Sequence, residues 1–249
     1  IIVFDVNETL LDLETITPTF DRIFGDPAAM RHWFAGLITY SEALTLAGVY
    51  VPFTDVGGAV LRMLAATRGV AITDADSAEL TDRFASMPPH PDVPGALRRL
   101  RDAGFRLFTL TDNTREISGR QLEAAGLIEL FERRFSVDDD VRRHKPAPEA
   151  YASVAAALGA EPADILLIAC HTWDTLGAVA AGWRAALVDS PPRRRPAGRR
   201  AAARDHREDA RRGRRSAAGA RPHTVRLGDG RRTAGFAITN CAAAPALRR

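Results

Sequence analysis

The sequence predicts an α/β fold, with a parallel sheet covered by helices on both faces and a helical block inserted after the first strand. Three observations support this. Beyond residue 94, helical and strand-like stretches alternate, the pattern of parallel strands joined by crossover helices. An apolar β run, "IIVF", opens the chain well before that series. Between the two, residues 14–86 carry apolar residues at three- and four-residue spacing, with no strand pattern.

Taken in order, "IIVF" ends at Asp5. Helices are expected over 14–24, 27–47, 52–68 and 75–86. The breaker-rich "SMPPHPDVPG", residues 86–95, reads as a crossing between subdomains. Helix 94–103 leads through Gly104 to the strand "FRLFTL" at 105–110. Helix 115–125, Gly126 and a short strand near 134–137 follow. Helix 147–158 precedes the strand "DILLIA" at 164–169. Helix 174–181, Gly182 and the strand "RAALV" at 184–188 close the series. The expected division is a sheet-based core of residues 1–13 and 90–189, a helical cap of residues 14–89, and a basic low-complexity tail of residues 190–249.

The formal net charge of +3 hides an abrupt reversal. Residues 1–190 carry 17 Lys+Arg against 27 Asp+Glu, whereas residues 191–249 carry 17 Arg against 4 Asp+Glu. No apolar run reaches the roughly 18–20 residues that a membrane span needs, and the apolar start lacks the basic flank of a signal peptide. Cys170 and Cys241 have neither metal-ligand spacing nor a disulfide framework. A cytoplasmic protein is expected, and a homodimer is compatible with the sequence.

Ligands of open parallel sheets bind at the carboxyl ends of the strands. Polar groups gather at those ends here. Asp5, Asn7 and Thr9 follow the first strand, Thr111, Asp112 and Asn113 the second, and His171 and Asp174 follow "DILLIA". Lys145, the only lysine of the chain, lies in the loop before helix 147–158. A carboxylate such as Asp5 can act as a nucleophile. A compact ammonium can hold it ionised and offset the charge of a bound anion, where arginine would present a broad planar fork.

In order and spacing, "FDVNETLLD", "TLTDN", "HKPAPEAY" and "HTWDTLGA" resemble the four motifs of the haloacid dehalogenase superfamily. Within it, the helical insert and "FDVNETLLD" look most like the type II (S)-2-haloacid dehalogenases. The resemblance implies a Rossmann-like core with a helical cap, and an active site between them. It implies hydrolysis of short 2-haloacids through an ester on Asp5, with no metal and no cofactor. Lys145 would support Asp5, Asp174 would activate water, and Arg31 on the cap would receive the halide. Thr9, Thr111, Asp112, Tyr151, His171 and Trp173 are the expected substrate-binding residues.

Blander readings stand beside these. Asp174 can be a helix N-cap, Arg31 an exposed helix arginine, and His171 a structural histidine. Trp33, Phe34, Tyr40 and Trp173 can wall the carbon–halogen bond or simply fill the core. Superfamily phosphatases have aspartate two residues after the nucleophile to protonate the leaving alcohol. Asn7 cannot move that proton, and halide departure needs none. A Mg²⁺-dependent phosphatase, with Asp5 and Asp174 as partial ligands, is the alternative enzyme. Asp112 and His171 depart from the dehalogenase pattern and put the substrate in question.

Family members usually continue past a strand like "RAALV" into another strand and a closing helix, but here "DSPPRRRPAGRR" follows. A disordered, phosphate-binding basic arm is one reading. Phe236 is the only aromatic of the tail, so base stacking is not expected. Out-of-frame translation of a GC-rich coding region accounts for the lost strand–helix pattern as well as the charge reversal. Nucleotide sequencing around codon 189 is expected to reveal an interrupted frame. An intact frame would favour the arm, whose signature is salt-sensitive nucleic-acid binding lost on deleting residues 190–249.

Overall fold

The structure, a computed structural model, describes residues 1–188. The arginine-rich stretch and the disorder expected of it lie outside the described residues. Strands β1 (Ile2–Phe4), β2 (Leu107–Thr111), β3 (Arg133–Ser136), β4 (Leu166–Ala169) and β5 (Arg184–Leu187) form one parallel sheet in the order β3-β2-β1-β4-β5. The central β1 pairs with β2 on one side and β4 on the other, Phe4 standing level with Thr109 and Ile168. The strand order reverses at β1, so the loops after β1 and β4 meet where open α/β sheets form their crevice.

Helices α1 (Thr17–Phe24), α2 (Ala29–Leu46), α3 (Phe53–Arg68) and α4 (Asp74–Ala85) lie between β1 and the rest of the sheet in sequence. Helices α5 (Val93–Asp102), α6 (Arg115–Ala124), the short α7 (Val137–Asp140), α8 (Pro148–Leu158) and α9 (Thr172–Ala180) alternate with the strands. None of the described helices is long and apolar enough to cross a membrane.

The pleat of β1 sorts the core. Ile2 and Phe4 join one core cluster with Leu97 of α5 and with Phe20, Met30 and Trp33 of the helical block. Val3 joins a second cluster with Phe108, Tyr151, Val154 and Ala178. Successive side chains of a strand point to opposite faces, and both faces are covered. That is why the strands read as short continuous apolar runs.

The expected element order is present, with local corrections. The first helix splits into a 3₁₀ turn at Leu13–Ile16 and α1, with Pro18 in the first turn of α1, where a missing N–H is harmless. The second strand starts at Leu107 rather than at 105, because Phe105 closes the end of α5 through its N–H to Leu100. The acidic run Asp138–Asp140 belongs to α7, capped by the Ser136 hydroxyl. The chain's passage into the helical block pairs with its return: Asp12 donates to Pro88, and His90 to Leu10.

Helix α9 packs so closely that a β-carbon at Gly177 would lie 2.5 Å from the Tyr151 hydroxyl and 2.7 Å from Pro146 Cβ. Gly177→Ala is expected to destabilise the fold by roughly 1–3 kcal/mol through overpacking. The check is a lower urea midpoint at an unchanged m-value.

Candidate active site

Two strand ends and one loop bring the charged groups together. Asp5 leaves β1, Asp174 sits in the first turn of α9 just after β4, and Lys145 comes from the loop before α8. All three are buried. Lys145 Nζ donates to Asp5 Oδ1 at 2.9 Å, to Asp174 Oδ2 at 2.7 Å and to the Leu110 carbonyl at 3.3 Å. An ammonium has three N–H donors, and each finds an acceptor.

Burial alone would lower the Lys145 ammonium, but Asp174, Asp5 and Asp112 outweigh it and hold it above the ordinary lysine value. Burial would raise Asp5, but Lys145, His171 and Thr9 hold it well below the usual carboxylate range. Asp174 is raised to about 6 by burial and by Asp5, against the pull of Lys145 and Tyr151.

The expected residues divide on inspection. Thr9 donates its hydroxyl proton to Asp5 Oδ2 at 2.6 Å and accepts from the Cys170 N–H at 3.0 Å, tying the β1 and β4 loops together. His171 Nδ1 lies 3.3 Å from Asp5 Oδ2 but too far out of line for a hydrogen bond, so this contact is electrostatic. Its Nε2 is 3.0 Å from Glu8 Oε2. Burial would lower the His171 imidazole, but Asp5, Cys170 and Glu8 push it up to about 12. Trp173 stacks on His171 at 5.0 Å between centroids, with Lys145 Nζ 5.5 Å from its ring. Arg31, on α2, reaches Glu8 and Glu14 with its guanidinium.

Other expected residues have different work. Tyr151 is wholly buried and donates to Asp174 Oδ1 at 2.7 Å, so it orients Asp174. Asp112 accepts from the Lys145 backbone N–H at 2.9 Å and stands 3.3 Å from His144 Nδ1, so it builds the lysine loop. The hydroxyl of Thr111 accepts from the Asn113 N–H within its own turn. Asp174 is not an N-cap, because α9 starts two residues earlier after His171. Phe34 meets His171 at 5.7 Å between centroids, whereas Tyr40 is 44% exposed. Trp33 donates to the Gly57 carbonyl and lines a cavity of about 100 Å³ among α2, α3 and α4, apart from the Asp5 cluster.

Sequence reasoning missed Glu8, His144 and Gln121. The first two lie inside quoted motifs, which was the available signal. Gln121 had none: it donates to Asn7 Oδ1 and to the Phe84 carbonyl, joining α6 to the first loop and to α4.

The residues do not fit Mg²⁺. The Lys145 ammonium already bridges Asp5 and Asp174, and it repels a cation placed between them. The Asn7 amide oxygen is taken by Asn113 and Gln121. Among the described residues, the one trio with ligand atoms within 4.8 Å of one another is Asp5, Cys170 and His171. Its thiol and imidazole do not suit a hard cation that prefers oxygen.

The model of the haloacid dehalogenase-like hydrolase family matches residues 1–182. The chain belongs to this family. Haloacetate dehalogenase H-2 of Moraxella sp. (strain B) is 27% identical over 191 residues, covering 76% of this chain and 84% of that protein. The (S)-2-haloacid dehalogenase of Pseudomonas sp. (strain YL) is 28% identical over 181 residues, covering 71% and 77%. Among solved structures, the L-2-haloacid dehalogenase of Xanthobacter autotrophicus with chloropropionic acid covalently bound superposes with a TM-score of 0.70. It is 26% identical and covers 75% of this chain and 76% of that one. Another L-2-haloacid dehalogenase gives a TM-score of 0.72 at 30% identity, covering 75% and 85%.

Lys145→Met would leave two buried carboxylates sharing no cation. The expected loss is roughly 3–5 kcal/mol at pH 8. Asp174, already raised above its unfolded value, would rise further. A carboxyl raised by folding binds more protons in the folded state, so stability falls as pH rises. The loss should therefore shrink towards pH 5, and urea midpoints at the two pH values check it.

Proposed function

We propose that this protein hydrolyses the carbon–halogen bond of short (S)-2-haloacids, giving 2-hydroxy acids. The carrying observation is the buried Asp5–Lys145–Asp174 group, with Asn7 where an acid would be needed to protonate an alcohol. The relative with chloropropionic acid covalently bound supports an ester route. So do the relatives named as 2-haloacid dehalogenases.

Asp5, held ionised by Lys145, attacks C2 from the side opposite the halogen. The carbon–halogen bond breaks as the carbon–oxygen bond forms, and configuration inverts. Halide leaves towards the apolar contacts of Phe34 and Trp173; Arg31, expected to receive it, is held by Glu8 and Glu14. Water then attacks the Asp5 carbonyl carbon. Asp174, oriented by Tyr151, accepts one of the water's protons and passes it to the departing oxygen of the hydroxy acid, and the other proton is lost to solvent as Asp5 regains its carboxylate. Residues 14–89 act as a cap over the core formed by residues 1–13 and 90–189. No cofactor enters any step.

Halide release from (S)-2-chloropropionate, with metals chelated, tests the reading. The parent is expected to release halide, and Asp5→Asn to lose activity by on the order of 10⁴-fold or more. No release from the folded parent would overturn the assignment. Asp174 must be ionised to accept a proton; it is raised to about 6 by burial and by the Asp5 charge, which the ester removes, so kcat should hold down to about pH 6 and fall only below it.

A further inference from the structure

Glu8 takes part in none of these steps. It follows Asp5 by three residues, and its backbone lies in the left-handed region at φ 64°. Glycine would adopt that conformation freely, whereas a residue with a β-carbon is strained there. The Glu8 carbonyl stands 2.9 Å from His90 Nε2, which holds the loop in place. The side chain that this strain supports is a carboxylate shared by two cations. One oxygen accepts from Arg31 Nη1, and the other lies 3.0 Å from His171 Nε2.

His171 is a direct neighbour of the nucleophile, and Arg31 is joined to it through Glu8. The side chains of Glu8 and His171 are each 12% exposed and that of Arg31 46%, whereas the Asp5 side chain beside them is 6% exposed. The other ring nitrogen of His171 is 3.3 Å from Asp5 Oδ2. In a 2-haloacid the carboxylate is one bond from the carbon that Asp5 attacks, so its cations must stand close to Asp5. Lys145 is already engaged by Asp5, Asp174 and Leu110. Arg31 and His171 remain: Glu14 takes Arg31 Nε and Nη2, and the Nη1 that is left meets Glu8, which bridges it to His171.

We propose that Arg31 and His171 form a subsite for a small carboxylate, and that Glu8 occupies it as a built-in competitor which the ligand displaces. Glu8 is then a specificity-determining residue that weakens binding of small carboxylates. For the halogenated ligand this rests on the proposed dehalogenation, but occupancy of the subsite does not depend on turnover.

Propionate, which carries no halogen, is the probe. Calorimetric titration at pH 7 compares the parent with Glu8→Gln, which keeps the side-chain length and removes the charge. Propionate is expected to bind about tenfold tighter to Glu8→Gln, the scale of one charged hydrogen bond. The KM for (S)-2-chloropropionate should fall in parallel. Glu8→Gly, which suits the left-handed backbone, should also bind propionate more tightly and serves if Glu8→Gln does not fold. Adding Arg31→Gln to Glu8→Gln should abolish the gain. Unchanged or weaker propionate binding in a folded Glu8 variant would overturn the proposal, as would a gain that survives loss of Arg31. Tighter propionate binding without halide release from any variant would uphold the subsite and sink the haloacid substrate.

Discussion

The buried ammonium of Lys145 is the interaction on which the rest of the site depends. Taking a charge out of water is expensive, and the fold tolerates it only because partners surround it. Asp5 and Asp174 supply opposite charge, and the Leu110 carbonyl accepts the third N–H. The partners are secured in turn. Thr9 holds Asp5, Tyr151 holds Asp174, and Asp112 holds the lysine backbone. A guanidinium, with five donors in a flat fork, would not match three converging acceptors. The lone lysine of an otherwise arginine-bearing chain is thereby explained by geometry.

The sheet order makes this convergence possible. β1 lies between β2 and β4, so the loops leaving these three strands share one rim. Asp5 follows β1, Leu110 is the penultimate residue of β2, Asp174 follows β4, and Lys145 reaches in from the segment before α8. The close packing of Gly177 against Tyr151 and Pro146 then keeps α9, and with it Asp174, in contact with the lysine loop. Packing and electrostatics therefore specify the same arrangement.

On the open side the charges alternate from Asp5 through His171, Glu8 and Arg31 to Glu14. This chain runs from the sheet rim to α2, so the helical block meets the rim through polar contacts as well as apolar ones. Tyr50 donates to Asp138, and His144 Nε2 lies 2.9 Å from the Val51 carbonyl, at a second place where the block touches the lysine loop. Gln121 provides a third, through Phe84. A site assembled at such contacts is sensitive to how the helical block sits, which gives α2 and its Arg31 an influence on binding that a remote helix would lack.

Sequence alone determined the order of strands and helices, the polar strand ends and the singular lysine. These depend on local periodicity and on one-dimensional counting. It placed Asp5, Lys145 and Asp174 together, because parallel topology carries strand ends to one rim. It did not show that Tyr151 bonds Asp174, that Asp112 bonds the lysine backbone, that Thr111 closes its own turn, or that Tyr40 is exposed, because spacing along the chain does not say which way a side chain turns. Only the tertiary structure decided that Asp112 holds the lysine backbone, that Tyr151 holds Asp174, and that Glu8 bridges Arg31 and His171. Those pairings join residues far apart in sequence. Their energies depend on distance, burial and orientation, which appear only once the loops have met.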